Sequence, residues 1–478
     1  ATHATRPRGR CLACSDVHSP GLAVGLRQLD GLMWVQRPVP TGLEPSFKML
    51  GDFGEGRCKW SSGMPVGGRI FCAPSNASAV LVIDPAKGSF YTVGDFSDLE
   101  DKWKGGFVSD GSRLYCVPAS GSGGALAIDT SMCASAEVLH SLEPFPEEGA
   151  RSKACGWFPA LRGGDGRFYL TPQDAPSVLV LDPGSQAAYH LGSFGNEAFK
   201  WSPAVVGLDG KLYCAPVNAS SVLVVDPLEQ TATSLGDLGS EESKWLTGTR
   251  ADDGRIYCAP FTARSILVID PFTQSVSLLG DFGDLHGKWC PGVQGPDRRI
   301  YFAPYHAASV LVLDPVTQAT FAVGDFGGGP HKWDPGVLGP DGRLYFAPAN
   351  ARELLVLDPL TCSHTLLGDF GPEEYKWNRG VRGSDGALYF SPFHASSILV
   401  VDPLPRWSPA THRSFPSHHR RSVRLLLLGR RQQGSLLHLL PHALLVQRLL
   451  PFLGRTWFPP SAARDSHSVA ALEYVAVD

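Results

Sequence analysis

One pattern recurs along most of this 478-residue chain. It runs Gly-Asp-Phe-Gly, a short gap, Lys-Trp, two residues, Gly-Val, then Asp-Gly-Arg-[Ile/Leu]-Tyr-x-Ala-Pro, and closes on [Val/Ile]-Leu-Val-[Ile/Leu]-Asp-Pro. The tryptophan falls at Trp60, Trp103, Trp157, Trp201, Trp245, Trp289, Trp333 and Trp377, a period of 44 residues with one step of 43 and one of 54. The closing aspartate keeps the same register at Asp84, Asp129, Asp182, Asp226, Asp270, Asp314, Asp358 and Asp402. The long step lies between Asp129 and Trp157, where 28 residues replace the usual 19, so a surface loop is lengthened there. Eight tandem units of this length, none able to bury an apolar face alone, confine the chain to a stacked or closed repeat architecture.

Each unit holds short runs of Val, Ile, Leu, Tyr and Phe punctuated by Asp-Gly, Asp-Pro and Gly-Asp-Phe-Gly, which is strand-and-turn chemistry. Asp-Gly at 110–111, 165–166, 209–210, 253–254, 341–342 and 385–386 suits two-residue hairpin turns with positive φ. Four strands per unit are predicted: a after the Trp, around Gly292 and Val293; b, as in 255–260; c, as in 265–270; and d, as in 275–280. The predicted fold is all-β, an eight-bladed β-propeller of four-stranded blades, with seven blades if the irregular third unit does not form. The eighth unit stops at Asp402-Pro403 without a d strand, while 46–50 is an orphan strand preceding the first Gly-Asp-Phe-Gly. That segment is expected to close the ring as the outer strand of the last blade, which removes an open sheet edge. The expected organisation is an unassigned segment at 1–45, the propeller at 46–403 and a tail at 404–478.

The run Asp-Gly-Arg-Ile-Tyr-Cys-Ala-Pro at 253–260, followed by Ser-Ile-Leu-Val-Ile-Asp-Pro-Phe-Thr-Gln at 265–274, resembles the repeats of YVTN, NHL and virginiamycin B lyase-like propellers, and of gluconolactonase-like ones. The resemblance implies the propeller over about three quarters of the chain and leaves activity open, because such propellers include lyases, lactonases, quinoproteins and binding scaffolds.

Composition separates the ring from the tail. Residues 1–403 carry 32 Lys and Arg against 43 Asp and Glu, whereas 404–478 carry ten Arg, no Lys and only three acids. The acidic balance excludes a nucleic-acid groove on the propeller. The tail segment 424–454 reads either as a basic amphipathic helix for an anionic membrane surface or a partner, or as an unselected extension. The chain shows neither an apolar run of spanning length nor an N-terminal apolar core of a signal, so a soluble, cytoplasmic monomer is expected. The eleven cysteines make no disulfide framework: Cys72, Cys116, Cys214 and Cys258 stand where later units carry Phe302, Phe346 and Phe390, as small core hydrophobes. Cys11 and Cys14 form a single CxxC without a second pair at zinc spacing.

The chain contains no Gly-x-Ser-x-Gly, His-Glu-x-x-His or phosphate-binding loop. Two features invite a functional reading. The Lys-Trp pair occurs in seven of eight units, the third having Gly156-Trp157. A device every unit repeats serves a need every unit shares, so Trp is expected to fill the wedge between blades and Lys to pair with the Asp of the preceding Gly-Asp-Phe, rather than form a cationic ring at the channel. The b–c hairpin tips vary more: Asn76, Asp174, Asn218, Thr262, His306, Asn350 and His394. With strand a innermost, these tips and the Lys-Trp loops share one face, which makes Asn76, Asn218, Thr262, His306, Asn350 and His394 the candidate ligand-binding residues. The plainer reading is that these are good turn residues.

The leading functional expectation is a non-enzymatic binding or scaffold protein that takes a peptide, protein or small ligand on that face. The alternative, implied by the resemblance, is a lactonase- or lyase-like enzyme holding one divalent cation at the channel mouth, for which Asn76, Asn218 and Asn350 must converge with an acidic residue. No cofactor is the default.

Overall fold

The computed structural model describes residues 44–96, 100–108, 113–118, 125–130, 136–139, 156–185 and 187–404, together with the backbone of strands Gly25–Leu29, Leu32–Gln36, Val423–Leu425 and Leu472–Tyr474. Cys11, Cys14 and the tail segment read as a basic helix or an unselected extension lie outside these residues, save 424–425, which belong to a strand. The chain divides into two compact units, 1–406 and 407–478. Of the second, only the antiparallel pairing of Val423–Leu425 with Leu472–Tyr474 is described.

Eight four-stranded antiparallel sheets make up the repeat region, seven of them with their strands in chain order. Blades 1 to 7 occupy 64–93, 103–139, 161–191, 205–235, 245–279, 289–323 and 337–367. Blade 8 consists of 381–402 completed by Ser46–Leu50, which pairs along Ile398–Asp402 from Ser46 opposite Asp402 to Leu50 opposite Ile398. The expected closure is therefore the one the fold uses, and the third unit forms a full blade. In blade 5, strands Trp245–Arg250, Ile256–Pro260, Ile266–Asp270 and Ser275–Leu279 match the expected segments to within a few residues.

The a–b turns depart from the expected two-residue form. In blade 4, Gly207 N–H bonds Lys211 O, Gly210 N–H bonds Gly207 O, and Gly210 follows in the left-handed region at φ +82°. This is a longer turn ending in a left-handed glycine bulge, which explains Gly after Asp. The aspartate locks it: Asp209 Oδ1 accepts Lys211 N–H and Oδ2 accepts the Tyr213 hydroxyl at 2.7 Å. The two-residue turn appears only in blade 1 among the described turns, at Gly67-Gly68, both with positive φ and flanked by paired Val66 and Arg69.

Strands b and c are buried almost throughout, and the apolar clusters span adjacent blades: Tyr301, Val310 and Val312 of blade 6 pack with Leu344, Phe346 and Leu355 of blade 7. The repeated Trp sits in these clusters as expected. Among the described residues, seven of these indoles also donate to a backbone carbonyl, as Trp201 Nε1 does to Ser221 O at 2.7 Å and Trp377 Nε1 to Ser397 O at 2.8 Å. The Phe of Gly-Asp-Phe meets the ring edge to face, as in Phe326 with Trp333 at 5.0 Å and Phe370 with Trp377 at 5.2 Å, an arrangement that adds about 1 kcal/mol to simple burial.

Candidate functional site at the loop face

The inner a strands of neighbouring blades touch one another, and the loops that lead into them meet the b–c tips on one face. Lys200, entering blade 4, shows how. Its N–H bonds Gln173 O of the blade 3 tip, while its own carbonyl accepts N–H groups of Val217 and Ala219 in the blade 4 tip. The same pattern holds at Lys244, Lys288, Lys332 and Lys376, so each lysine is wedged between two tips.

The ammonium groups correct one expectation. Among the described contacts they donate to backbone carbonyls rather than pairing with the aspartates of Gly-Asp-Phe. Lys200 Nζ reaches Asp174 O at 3.0 Å and Glu197 O at 2.9 Å, Lys288 Nζ reaches Thr262 O at 3.0 Å and Leu285 O at 2.8 Å, and Lys59 Nζ reaches His394 O at 3.0 Å. Several carbonyls converge where one carboxylate was expected, so the charge is spread over partial dipoles of two blades. Asp281 and Asp369 instead take Arg264 and Arg352 at 2.8 and 2.7 Å. Burial lowers the pKa of Lys332 and Lys376 to about 8.

The residue before each lysine is held in the left-handed region: φ is +51° at Asp101, +53° at Phe199, +56° at Ser243, +50° at His331 and +53° at Tyr375. Side chains other than glycine reach this region at some cost. The tips offset it. Asn76, Asn218 and Asn350 each place Oδ1 on the N–H of that residue in the next blade, Asp101, Ser243 and Tyr375, at 2.8–2.9 Å. Asp174 does the same for Phe199. The three asparagines are therefore spread around the ring with their oxygens engaged at separate blade junctions, and they do not converge. Thr262 Oγ1 donates to Glu242 O or Ser243 O. His306 and His394 point Nδ1 at His286 O and Glu374 O, at 2.9 and 3.1 Å.

Side chains that, His394 apart, the sequence did not single out form a continuous feature. Rings follow one another from Phe261 to Tyr305 at 5.3 Å, to His331 at 3.9 Å, to Tyr375 at 4.5 Å, to His394 at 5.5 Å and to Phe393 at 5.0 Å. They come from the tips of blades 5, 6 and 8 and from the loops entering blades 7 and 8. His306 packs on Tyr305 at 4.7 Å. His331 Nε2 stands 3.4 Å from Asp334 Oδ1, and its buried Nδ1 has no protein partner. Burial pushes the Tyr305 phenol well above its ordinary range, so it stays a neutral hydroxyl. Opposite, the junctions of blades 1, 3 and 4 carry Ser75, Asn76, Asp101, Gln173, Asp174, Asn218 and Ser243, with Phe199 half exposed among them. Apart from His394, the signal for the ring chain was present in two slots, directly before Lys-Trp and directly after the Pro of strand b. Their residues change from blade to blade while the positions beside them do not.

The chain matches no family model and no curated protein. Among solved structures, the computationally designed Ika8 protein is similar over 74% of this chain and 99% of its own, at 10% identity and a TM-score of 0.52. A catalytically inactive virginiamycin B lyase from Staphylococcus aureus, solved with quinupristin, is similar over 75% and 99%, at 10% identity and a TM-score of 0.49. The extracellular domain of a hybrid two-component system from B. thetaiotaomicron follows over 76% and 54%, at 10% identity and 0.45. These are likenesses of fold alone: the chain is a β-propeller.

Proposed function

We propose that residues 46–403 form a binding domain whose loop face takes a peptide or small organic ligand presenting a planar or cationic group. The chain of rings from Phe261 to Phe393 carries this reading. It stands at positions the framework leaves free, and it gathers π faces on one half of the mouth with carboxylates on the other. Aromatic faces attract planar and cationic groups, and acidic neighbours strengthen the second preference. His306 and His394 belong to the contact surface in this reading, whereas Asn76, Asn218, Thr262 and Asn350 hold the loops that present it. Binding is preferred to the cation-dependent lactonase or lyase because that chemistry asks for converging amide oxygens, and those of the three asparagines are committed to backbone N–H groups at different junctions.

The test is selection of a displayed peptide library on the full chain, with Tyr305→Ala/Tyr375→Ala as the comparison. Peptides whose affinity falls tenfold or more, about 1.4 kcal/mol, in the double variant support the reading. Peptides indifferent to it place binding elsewhere and reject it. One Mg²⁺ or Ca²⁺ retained per chain in native mass spectrometry would turn the reading towards an enzyme.

A further inference from the structure

At the junction of blades 8 and 1 the tip carries a histidine where blades 1, 4 and 7 carry asparagine. The residue before Lys59 is Cys58 and the tip of blade 8 is His394. Where Asn76, Asn218 and Asn350 place an oxygen on the backbone N–H of the next blade, His394 instead sets Nε2 3.6 Å from Cys58 Sγ. The other ring nitrogen is oriented by the backbone: Nδ1–H donates to Glu374 O at 3.1 Å, which leaves the Nε2 lone pair for the thiol proton. Nucleophile, base and the group that aligns the base are thus in hydrogen-bonded sequence. Cys58 is half-buried, unlike the fully enclosed Cys72, Cys116, Cys214 and Cys258. The charged residues around the pair are Arg57, Lys59, Glu100, Asp101 and Glu374. Burial and the carboxylates of Asp101 and Glu100 keep the proton on sulfur at rest, and burial with Arg57 and Lys59 keeps the imidazole neutral. The pair is a neutral thiol beside a free base.

We propose that Cys58, with His394 as its general base, is a site of covalent modification by small disulfides. In the step, the Cys58 proton passes to His394 Nε2 as Sγ attacks one sulfur of the disulfide. The new S–S bond forms while the old one breaks, and the departing thiolate takes the proton back from the imidazolium. One thiol and one disulfide become a mixed disulfide and a thiol; Cys58 is oxidised and the leaving sulfur reduced. The site stands independently of whether the mouth binds a ligand.

The experiment treats the full-length native chain with oxidised glutathione and follows each cysteine by peptide mass spectrometry. Cys362, also half-buried and free but without an imidazole, is the internal reference. The variant is His394→Asn, because asparagine occupies the same slot in blades 1, 4 and 7 and braces the next loop there. The expected result is that Cys58 is modified at least tenfold faster than Cys362, and that His394→Asn slows Cys58 by about tenfold or more while leaving Cys362 unchanged. A Cys58 rate no higher than that of Cys362, or one unaltered in the variant, overturns the proposal. So does an equal change at both cysteines, which would report the fold rather than the base.

Discussion

Asn350 shows how a single side chain serves the ring. Its Oδ1 accepts the N–H of left-handed Tyr375 and its Nδ2 donates to Pro330 O, so one amide joins the tip of blade 7 to the loops on either side of it. Asn350→Ala should lower stability by about 1 kcal/mol or more in urea denaturation, whereas Asn350→Asp should retain most of it, since Asp174 makes the equivalent bond in blade 3. Equal losses in the two variants would contradict this role. Lys376 gives a pH signature. Its pKa is lowered to about 8 in the fold, while an unfolded lysine titrates near about 10.4. Between those values the unfolded chain binds more protons, so this group makes stability rise with pH across the window. Wild type should therefore gain on Lys376→Met between about pH 7 and about pH 10 in paired denaturation curves; a constant or shrinking difference would count against it. The role of tip asparagines as turn-formers was legible from residue type alone. That their oxygens reach the next blade was not, because the partner N–H lies 25 residues away in the chain.

At the level of strands, Ser46–Leu50 does what no other segment can, covering the open edge of Ile398–Asp402. Its side chains are largely exposed, with Phe47 resting against Phe370 at 5.0 Å, so its contribution is chiefly backbone pairing. A chain lacking residues 1–45 should keep the ring's melting temperature. One lacking 1–50 leaves blade 8 with a bare edge and should melt lower and self-associate in light scattering. Identical behaviour of the two truncations would show that closure is not stabilising. The strand was readable beforehand because the eighth unit was one strand short and a single unmatched strand preceded the first. The a–b turns were read less well. Asp-Gly signals a left-handed residue in either a two-residue turn or a longer bulged one, and the choice falls to the Tyr hydroxyl that reaches back to the aspartate.

Across the ring, every apolar cluster joining two blades ties each blade's stability to its neighbour's. Phe346 is fully enclosed between blades 6 and 7. Phe346→Ala should cost about 3–5 kcal/mol, and because the clusters are shared the loss should lower one cooperative transition. Hydrogen exchange would then quicken in blades 6 and 7 and in blades beyond them. Exchange quickened in blade 7 alone would mean that blades open singly.

The repeat itself determined the architecture. Strand, turn and Trp wedge are encoded within each 44-residue unit, where alternation and turn chemistry act between residues close in the chain, so fold and closing strand could be argued without coordinates. What passes between units was decided only by the tertiary structure. The lysines' choice of carbonyls over aspartate, the asparagines' grip on the next loop, the chain of rings from Phe261 to Phe393 and the meeting of Cys58 with His394 all depend on how one blade is set against the next. Residues equivalent in two units carry no mark of which neighbour they face, because that is a property of packing between distant segments.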